Sequence, residues 1–400
     1  MGCLLMMQAS KSLAQCSGGR FVNQIFTSGV TTVTYSDTFG LTMDIYQPDG
    51  DVMTNRPLVI LAHGGSFIGG DKTADKTVDS LCTRLARKGY VTASINYRLS
   101  NLFSMLSADS TLPIDEVIKA VSDGKAAIRY FRKDASTTNT YRIDTNNIFV
   151  GGNSAGAVLY MHVAYLDSLG ECPSYIQSSM IANGGFDGNS GNAGYSTRVT
   201  GVIDLAGGLN KVAFASAGNP PSVNVQGDLD NVVPYTCGYP NLGSSTAPLN
   251  VHVQLCGLGS LEAQFTSEGI YHMSKVYPGA GHVPWDSEPA KFKTVDSLVT
   301  VFLYNYVCPG SVLSSNEVHA NIDLVLSPNP ATEYLNLNSS LPVSDVVVYD
   351  ETGRVATQVS NINNTKYEIN TSRLAKGLYF VKVKFTDVAN TPVVKRIVVE

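Results

Sequence analysis

The stretch NIFVGGNSAGAVLYMH, residues 147–162, puts a serine between glycines at the point where one periodicity gives way to another. Ile148, Phe149 and Val150 read as a short buried strand, and Ala155 to His162 as the opening of a helix. Between them Gly152, Asn153, Ser154, Ala155 and Gly156 spell G-x-S-x-G. So sharp a reversal forces the turn residue into a strained backbone conformation, in which side chains two positions to either side collide. Glycine at both flanks removes the collision and leaves the Ser154 hydroxyl exposed at the tip of the turn. The same residues also fit a strand-to-helix turn that uses glycine for geometry alone. The rest of the chain has to decide between the two.

Outward from this turn, roughly from residue 57 to 305, strand-like runs alternate with helical patterns. The strands are PLVILAH (57–63), YVTASINY (90–97), NIFVGG (147–152), VTGVIDLAG (199–207), PSVNVQG (221–227) and SKVYPG (274–279). Nearly continuous β-branched runs of this kind suit a parallel sheet buried on both faces. VDSLCTRLARKG (78–89) and IDEVIKAVSDGKAAIRYFRKDA (114–135) are helix candidates between them. The alternation predicts an α/β sandwich. Ahead of it, TTVTYS and LTMDIYQP (41–48) predict an antiparallel pair at the sheet edge. Near residue 310 the texture changes: CPGSVLSSNEVHAN is polar and aperiodic, and short alternating segments follow it. The predicted organisation is an α/β domain over 15–308, a linker over 309–320 and a small all-β sandwich over 321–400.

Four hundred residues leave ample chain for a large core, and a net charge of -5 gives no support for nucleic acid as a partner. No apolar run approaches the ~18 residues of a membrane-spanning helix. At the N-terminus, Ser12-Leu13-Ala14 is a small-x-small pattern behind a short apolar run. Residues 1–14 are therefore expected to be the remnant of an export signal whose true start lies upstream, cut after Ala14; a plain tail is the alternative. Bulky Gln15 argues against a lipid-anchored Cys16. If Cys3 leaves with the leader, six cysteines remain, which permits three disulfides. Cys237 with Cys256 is the expected pair, closing a loop rich in Gly, Pro and Ser. No metal is expected, since neither CxxC nor HxxxH spacing occurs.

A serine hydroxyl is a poor nucleophile unless a base takes its proton and donors receive the developing oxyanion. Three further stretches supply such groups. His63-Gly64-Gly65-Ser66 follows a strand directly, and its glycines let backbone N–H groups approach a substrate carbonyl. The stretch resembles the HGG-type oxyanion motif of lipases and esterases, which implies the amides of Gly65, Ser66 and Ala155 as donors and His63 as a brace for the loop. VQGDLDNVVPY (225–235) offers Asp228 and Asp230, and its resemblance to the HGxxDxxVP stretch of α/β-hydrolases implies Asp230 as the acid. YPGAGHVPWD (277–286) offers His282 in a glycine-rich loop after the last strand. His162, His252, His272 and His319 read as surface or packing residues. The order Ser154, Asp230, His282 is the one this type of fold requires.

Residues 30–307 thus closely resemble the α/β-hydrolase superfamily. His63-Gly64-Gly65 with GGDK (69–72) and INYRL (95–99) is most similar to carboxylesterases that include bacterial feruloyl and acetyl-xylan esterases. The chain departs from the family pattern at Ser66, where a third glycine is usual, at Asn153, where an acid is commoner, and at Gln226, usually a histidine. The resemblance implies a secreted serine esterase or lipase that works through an acyl-enzyme, needs no cofactor, and acts on small-molecule or polysaccharide-linked esters. Two rival readings are a serine peptidase of the prolyl-oligopeptidase kind and a non-catalytic adhesion protein on a hydrolase fold. The former usually carries a propeller for which 15–56 is too short, and the latter usually loses a triad residue. Insertions over 165–198 and 236–273 are expected to cap the site. LSPNPATEYLNL, VYDETGRV, LAKGLYFVKV and KRIVVE in 321–400 resemble the type IX secretion sorting domain of Bacteroidota. That resemblance implies the type IX machinery as a partner and export through the periplasm to the cell surface or beyond.

Overall fold

A computed structural model describes residue 16 and residues 19–244, 246–309, 324–350, 354–386 and 393–400. The chain divides into two compact units, with the boundary at residues 311 and 312. The expected leader (1–14), His319 and most of the expected linker (309–320) lie outside the described residues.

The first unit is built on a mixed eight-stranded sheet. Its strands are β1 (Ser28–Ser36), β2 (Leu41–Pro48), β3 (Arg56–Ala62), β4 (Val91–Ile95), β5 (Ile143–Asn153), β6 (Gly201–Leu205), β7 (Ser222–Gly227) and, last in the chain, His272–Tyr277. A two-stranded ribbon, β8 (Cys237–Gly238) with β9 (Leu255–Cys256), precedes that last strand, which is therefore β10. The spatial order is β1-β2-β4-β3-β5-β6-β7-β10. β1 and β2 pair antiparallel at the edge, β2 joins β4 antiparallel, and every other pairing is parallel. All seven residues of β3 and all five of β4 are buried, as strands covered on both faces must be. The covering helices are α1 (Lys76–Arg87), short α2 (Leu102–Met105), α3 (Thr111–Ser136), α4 (Ala155–Tyr165), α5 (Ser174–Ala182), α6 (Leu258–Ser267) and α7 (Pro289–Val307).

Within α1, Val78, Leu81, Cys82, Leu85 and Ala86 are buried at helical spacing, and Asp75 caps its N-terminus by accepting from the Thr77 and Val78 amides at 3.0 and 3.1 Å. A cap of this kind contributes about 1 kcal/mol. Cys237 and Cys256 form a disulfide across the β8–β9 ribbon. A second disulfide joins Cys16 to Cys308, the residue after α7. The count of three disulfides is not realised: Cys82 and Cys172 are free and buried. Nor is 236–273 wholly a cap, because α6 within it is the crossover between parallel β7 and β10, with Leu258, Leu261 and Phe265 in the core.

In the second unit β11 (Leu324–Ser327), β12 (Tyr334–Asp350), β13 (Val355–Asn370), β14 (Gly377–Phe385) and β15 (Val393–Val399) form one antiparallel sheet. The long β12 pairs with β11 through its first half, with β14 through its second, and with β13 along both. The register shifts between Asn338 and Val343, where the strand passes from one half to the other. Alternate residues such as Val346, Val348, Val381 and Val383 fill the core.

Candidate active site

Every chemically interesting loop leaves the carboxyl end of a parallel strand: 63–70 after β3, Ser154 after β5, Asp230 after β7 and His282 after β10. That edge is where the crevices of open α/β sheets lie. Ser154 has φ 54° and ψ -117°, a conformation far outside the allowed regions for a residue with a side chain. A Cβ at Gly152 or at Gly156 would strike the carbonyl oxygen of Ala62 at the end of β3. Both glycines therefore let the elbow seat against the central strand. The Ser154 amide donates to Leu205 O (2.8 Å), which ties the elbow to β6 as well.

The three expected side chains meet. His282 Nδ1 lies 2.8 Å from Asp230 Oδ2, and His282 Nε2 lies 2.8 Å from Ser154 Oγ. A carboxylate only accepts, so Nδ1 donates to Asp230 and Nε2 is left to accept from the serine hydroxyl. Asp230 is buried and receives further N–H bonds from Val232 (3.0 Å), Val233 (3.1 Å) and Gln226 Nε2 (3.2 Å). Asp228 points elsewhere and accepts from the Gly279 amide instead. Gln226, where the family pattern has histidine, bridges the loop: its amide also donates to Val233 O (2.8 Å) and accepts from the Leu258 amide (2.8 Å).

Beside the serine, the amides of Gly65, Ser66 and Ala155 donate to no acceptor among the described residues. The Ala155 amide opens α4, so it also carries the positive end of the helix dipole. His63 is buried, stacks on Tyr97 with ring centroids 4.4 Å apart, and bonds through Nδ1 to Gly64 O. Burial lowers its pKa. It is a brace, as expected. The loop is fastened further by Asp75, which sequence reading passed over. Its carboxylate accepts from the Gly64 amide (2.9 Å) and from Asn153 Nδ2 (3.2 Å) while capping α1. Asn153 Oδ1 in turn accepts from Trp285 Nε1 (3.3 Å). An amide fits here because it donates to one partner and accepts from the other; a second carboxylate would face Asp75.

Two cavities flank Ser154. One, of about 410 Å³, is a polar groove lined by Gly64, Asp75, Asn153, His282 and Asp286. Burial raises the Asp286 carboxyl above the usual range, with Asp75 adding to the effect. The other, of about 120 Å³, is apolar. Ile176, Met180 and Phe186 of one expected insertion and Leu242 and Val251 of the other line it, so both expected insertions do cover the site. His162 lines it too, but its Nδ1 donates to Val158 O and its Nε2 accepts from the Asn210 amide, which leaves it no free nitrogen.

Residues 43–215 match the BD-FAE family, an α/β-hydrolase esterase domain. The chain carries an esterase domain. Residues 326–400 match the secretion system C-terminal sorting domain, which directs proteins of the type IX route to the cell surface or outside. The BD-FAE match includes His63 to Ser66 and Ser154 but stops short of Asp230 and His282. No curated protein matches the chain. Among solved structures, esterase 2 of Thermogutta terrifontis phosphorylated by paraoxon is similar, with a TM-score of 0.51 and 17% identity over 71% of this chain and 96% of that one. The apo form of the same enzyme gives 0.51 and 18% over 71% and 97%, and its propionate-bound form gives the same figures. This likeness shows the fold. The esterase domain is thus a carboxylic ester hydrolase on an α/β-hydrolase scaffold, followed by a sorting domain. Among the described residues no helix is long and apolar enough to cross a membrane, and no cluster of His, Cys, Asp and Glu could hold a metal.

Proposed function

We propose that this chain is a secreted serine esterase in which Ser154 attacks the ester, His282 is the general base and Asp230 orients it. In the first half-reaction the Ser154 hydroxyl proton passes to His282 Nε2 as Oγ bonds to the acyl carbon. The oxyanion is received by the Gly65, Ser66 and Ala155 amides. Collapse breaks the ester C–O bond, and the proton leaves with the alcohol. Water then repeats the sequence on the acyl-enzyme, releasing the acid and restoring the serine. The observation that carries this reading is the unbroken hydrogen-bond chain Asp230–His282–Ser154 beside three amides that have no acceptor among the described residues. The apolar cavity suits the acyl group, and the polar groove suits an alcohol such as a sugar hydroxyl. Type IX export would take the enzyme through the periplasm by way of 321–400, with the export machinery as its partner.

One structural relative, esterase 2 of Thermogutta terrifontis, is phosphorylated by paraoxon. Carried to this chain, the same reagent should transfer its diethylphosphoryl group to Ser154 Oγ with loss of p-nitrophenolate. Peptide mass spectrometry should then find one adduct, on Ser154, in step with loss of activity. An adduct elsewhere, or full labelling with activity intact, would remove Ser154 from the mechanism.

A further inference from the structure

Among the residues lining the apolar cavity only Lys125 carries a charge. It is 2% exposed. Its Nζ donates to the Phe186 carbonyl at 2.5 Å and lies 3.6 Å from the centre of the Phe186 ring. Among the described residues no carboxylate oxygen comes within 4 Å of it. An ammonium has three N–H donors, and a buried donor without an acceptor is costly. Burial accordingly pulls the Lys125 pKa down to about 8. The loop it touches does not need a second cation, because Arg129, one turn further along α3, already donates to the Asp187 and Gly191 carbonyls. The hydroxyl of Ser122, the other polar group on this face of α3, is engaged by Ser190 and the Asn189 amide.

The depth of Lys125 can be read from helix packing. A Cβ on its neighbour Gly124 would strike Leu159 and come within 3.2 Å of Tyr160 and 3.5 Å of Val163. That part of α3 therefore crosses α4 five to nine residues beyond Ser154, about 8–13 Å along the helix axis. Ala155, Val158, His162 and Leu166 of the α4 segment line the cavity, at helical spacing. A chain bound at Ser154 and lying along α4 thus passes apolar side chains before it reaches Nζ.

We propose that the cavity takes an acyl chain with a carboxylate at its far end, and that Lys125 is the residue that selects it. The preferred substrates are then monoesters of medium-length dicarboxylic acids. Their methylenes lie against Val117, Val121 and Val158, and their free carboxylate accepts the unfilled Lys125 donors. This rests on the reading of Ser154 as nucleophile. A site built around a polar partner discriminates strongly against an analogue that lacks it.

The test compares p-nitrophenyl monoesters of adipic and suberic acid with the hexanoate and octanoate of equal length, on the full chain. The wild type should favour the dicarboxylate of each pair by at least tenfold in kcat/KM. Free suberate should inhibit octanoate hydrolysis. In Lys125→Met the preference should reverse, because the carboxylate then enters an apolar cavity without a partner. Should that variant fail to fold by near-ultraviolet circular dichroism, the wild-type ratio and the suberate inhibition decide alone. Equal or lower rates on the wild-type dicarboxylates, or a ratio that Lys125→Met does not change, would overturn the proposal. The underlying esterase reading fails separately, if p-nitrophenyl acetate is not hydrolysed or if its hydrolysis survives Ser154→Ala.

Discussion

Asp230 and Asp228 sit two residues apart in one loop, yet only Asp230 turns toward His282. Replacing Asp230 with Asn keeps its shape but supplies an NH₂ where His282 Nδ1 must donate, which favours the wrong tautomer. Asp230→Asn should therefore lower kcat by about 10³–10⁴, a cost seen for this change in other triads. Asp228→Asn loses one exposed bond to the Gly279 amide and should stay within a few-fold of wild type. Steady-state rates on one p-nitrophenyl ester check both, and the reverse ranking would exchange the roles of the two. Ser154, Asp230 and His282 were legible in the sequence because each stands in a turn-rich segment directly after an apolar strand, and in a fixed order. Lys125 and Asp75 were not legible. Lys125 falls on the same face of the helical pattern as Val117 and Val121, but nothing local shows what that face covers, and its contact with Phe186 lies across 61 residues. Asp75 reads as an ordinary helix cap, and nothing local says that Gly64 and Asn153 also depend on it.

At the scale of elements, the eight strands of the first unit's main sheet were visible as β-branched runs, including the antiparallel edge pair. Helix α6 was obscured because it begins directly after a loop rich in Gly, Pro and Ser, so that crossover and cap read as one insertion. Strand β6 carries a feature with a measurable consequence. Asp204 is buried in the middle of the sheet, and its carboxylate accepts from the Gly207 amide at 2.8 Å. Burial raises its pKa to about 7 from the ordinary 3.8. Between those values the folded state holds a proton that the unfolded state has released, so stability falls as pH rises from about 4 to 7 and then levels off. The full effect is on the order of 4 kcal/mol, from the size of the shift. Urea unfolding of the wild type should show this decline, and Asp204→Asn should flatten it. A wild type equally stable at pH 4.5 and pH 7.5, with Asp204→Asn following the same curve, would mean that Asp204 does not titrate as described.

For the whole molecule, the Ser154–His282–Asp230 chain lies within the first compact unit and the sorting-domain match within the second. Units of this kind generally fold on their own. A chain ending near residue 310 should stay soluble and keep most of its activity on small esters, while in a host with type IX secretion it should remain in the periplasm. Delivery of the shortened chain to the medium, measured by immunoblot of cell fractions, would contradict the sorting role. The proposed mechanism comes down to one oxygen, Ser154 Oγ. The most direct measurement is kcat/KM of Ser154→Ala on p-nitrophenyl acetate, with near-ultraviolet circular dichroism to verify the fold. The activity should drop by several orders of magnitude, to the residue that binding and oxyanion donors alone sustain. A folded Ser154→Ala that retains more than about a tenth of the wild-type rate would contradict the account, because loss of a triad nucleophile cannot leave so much.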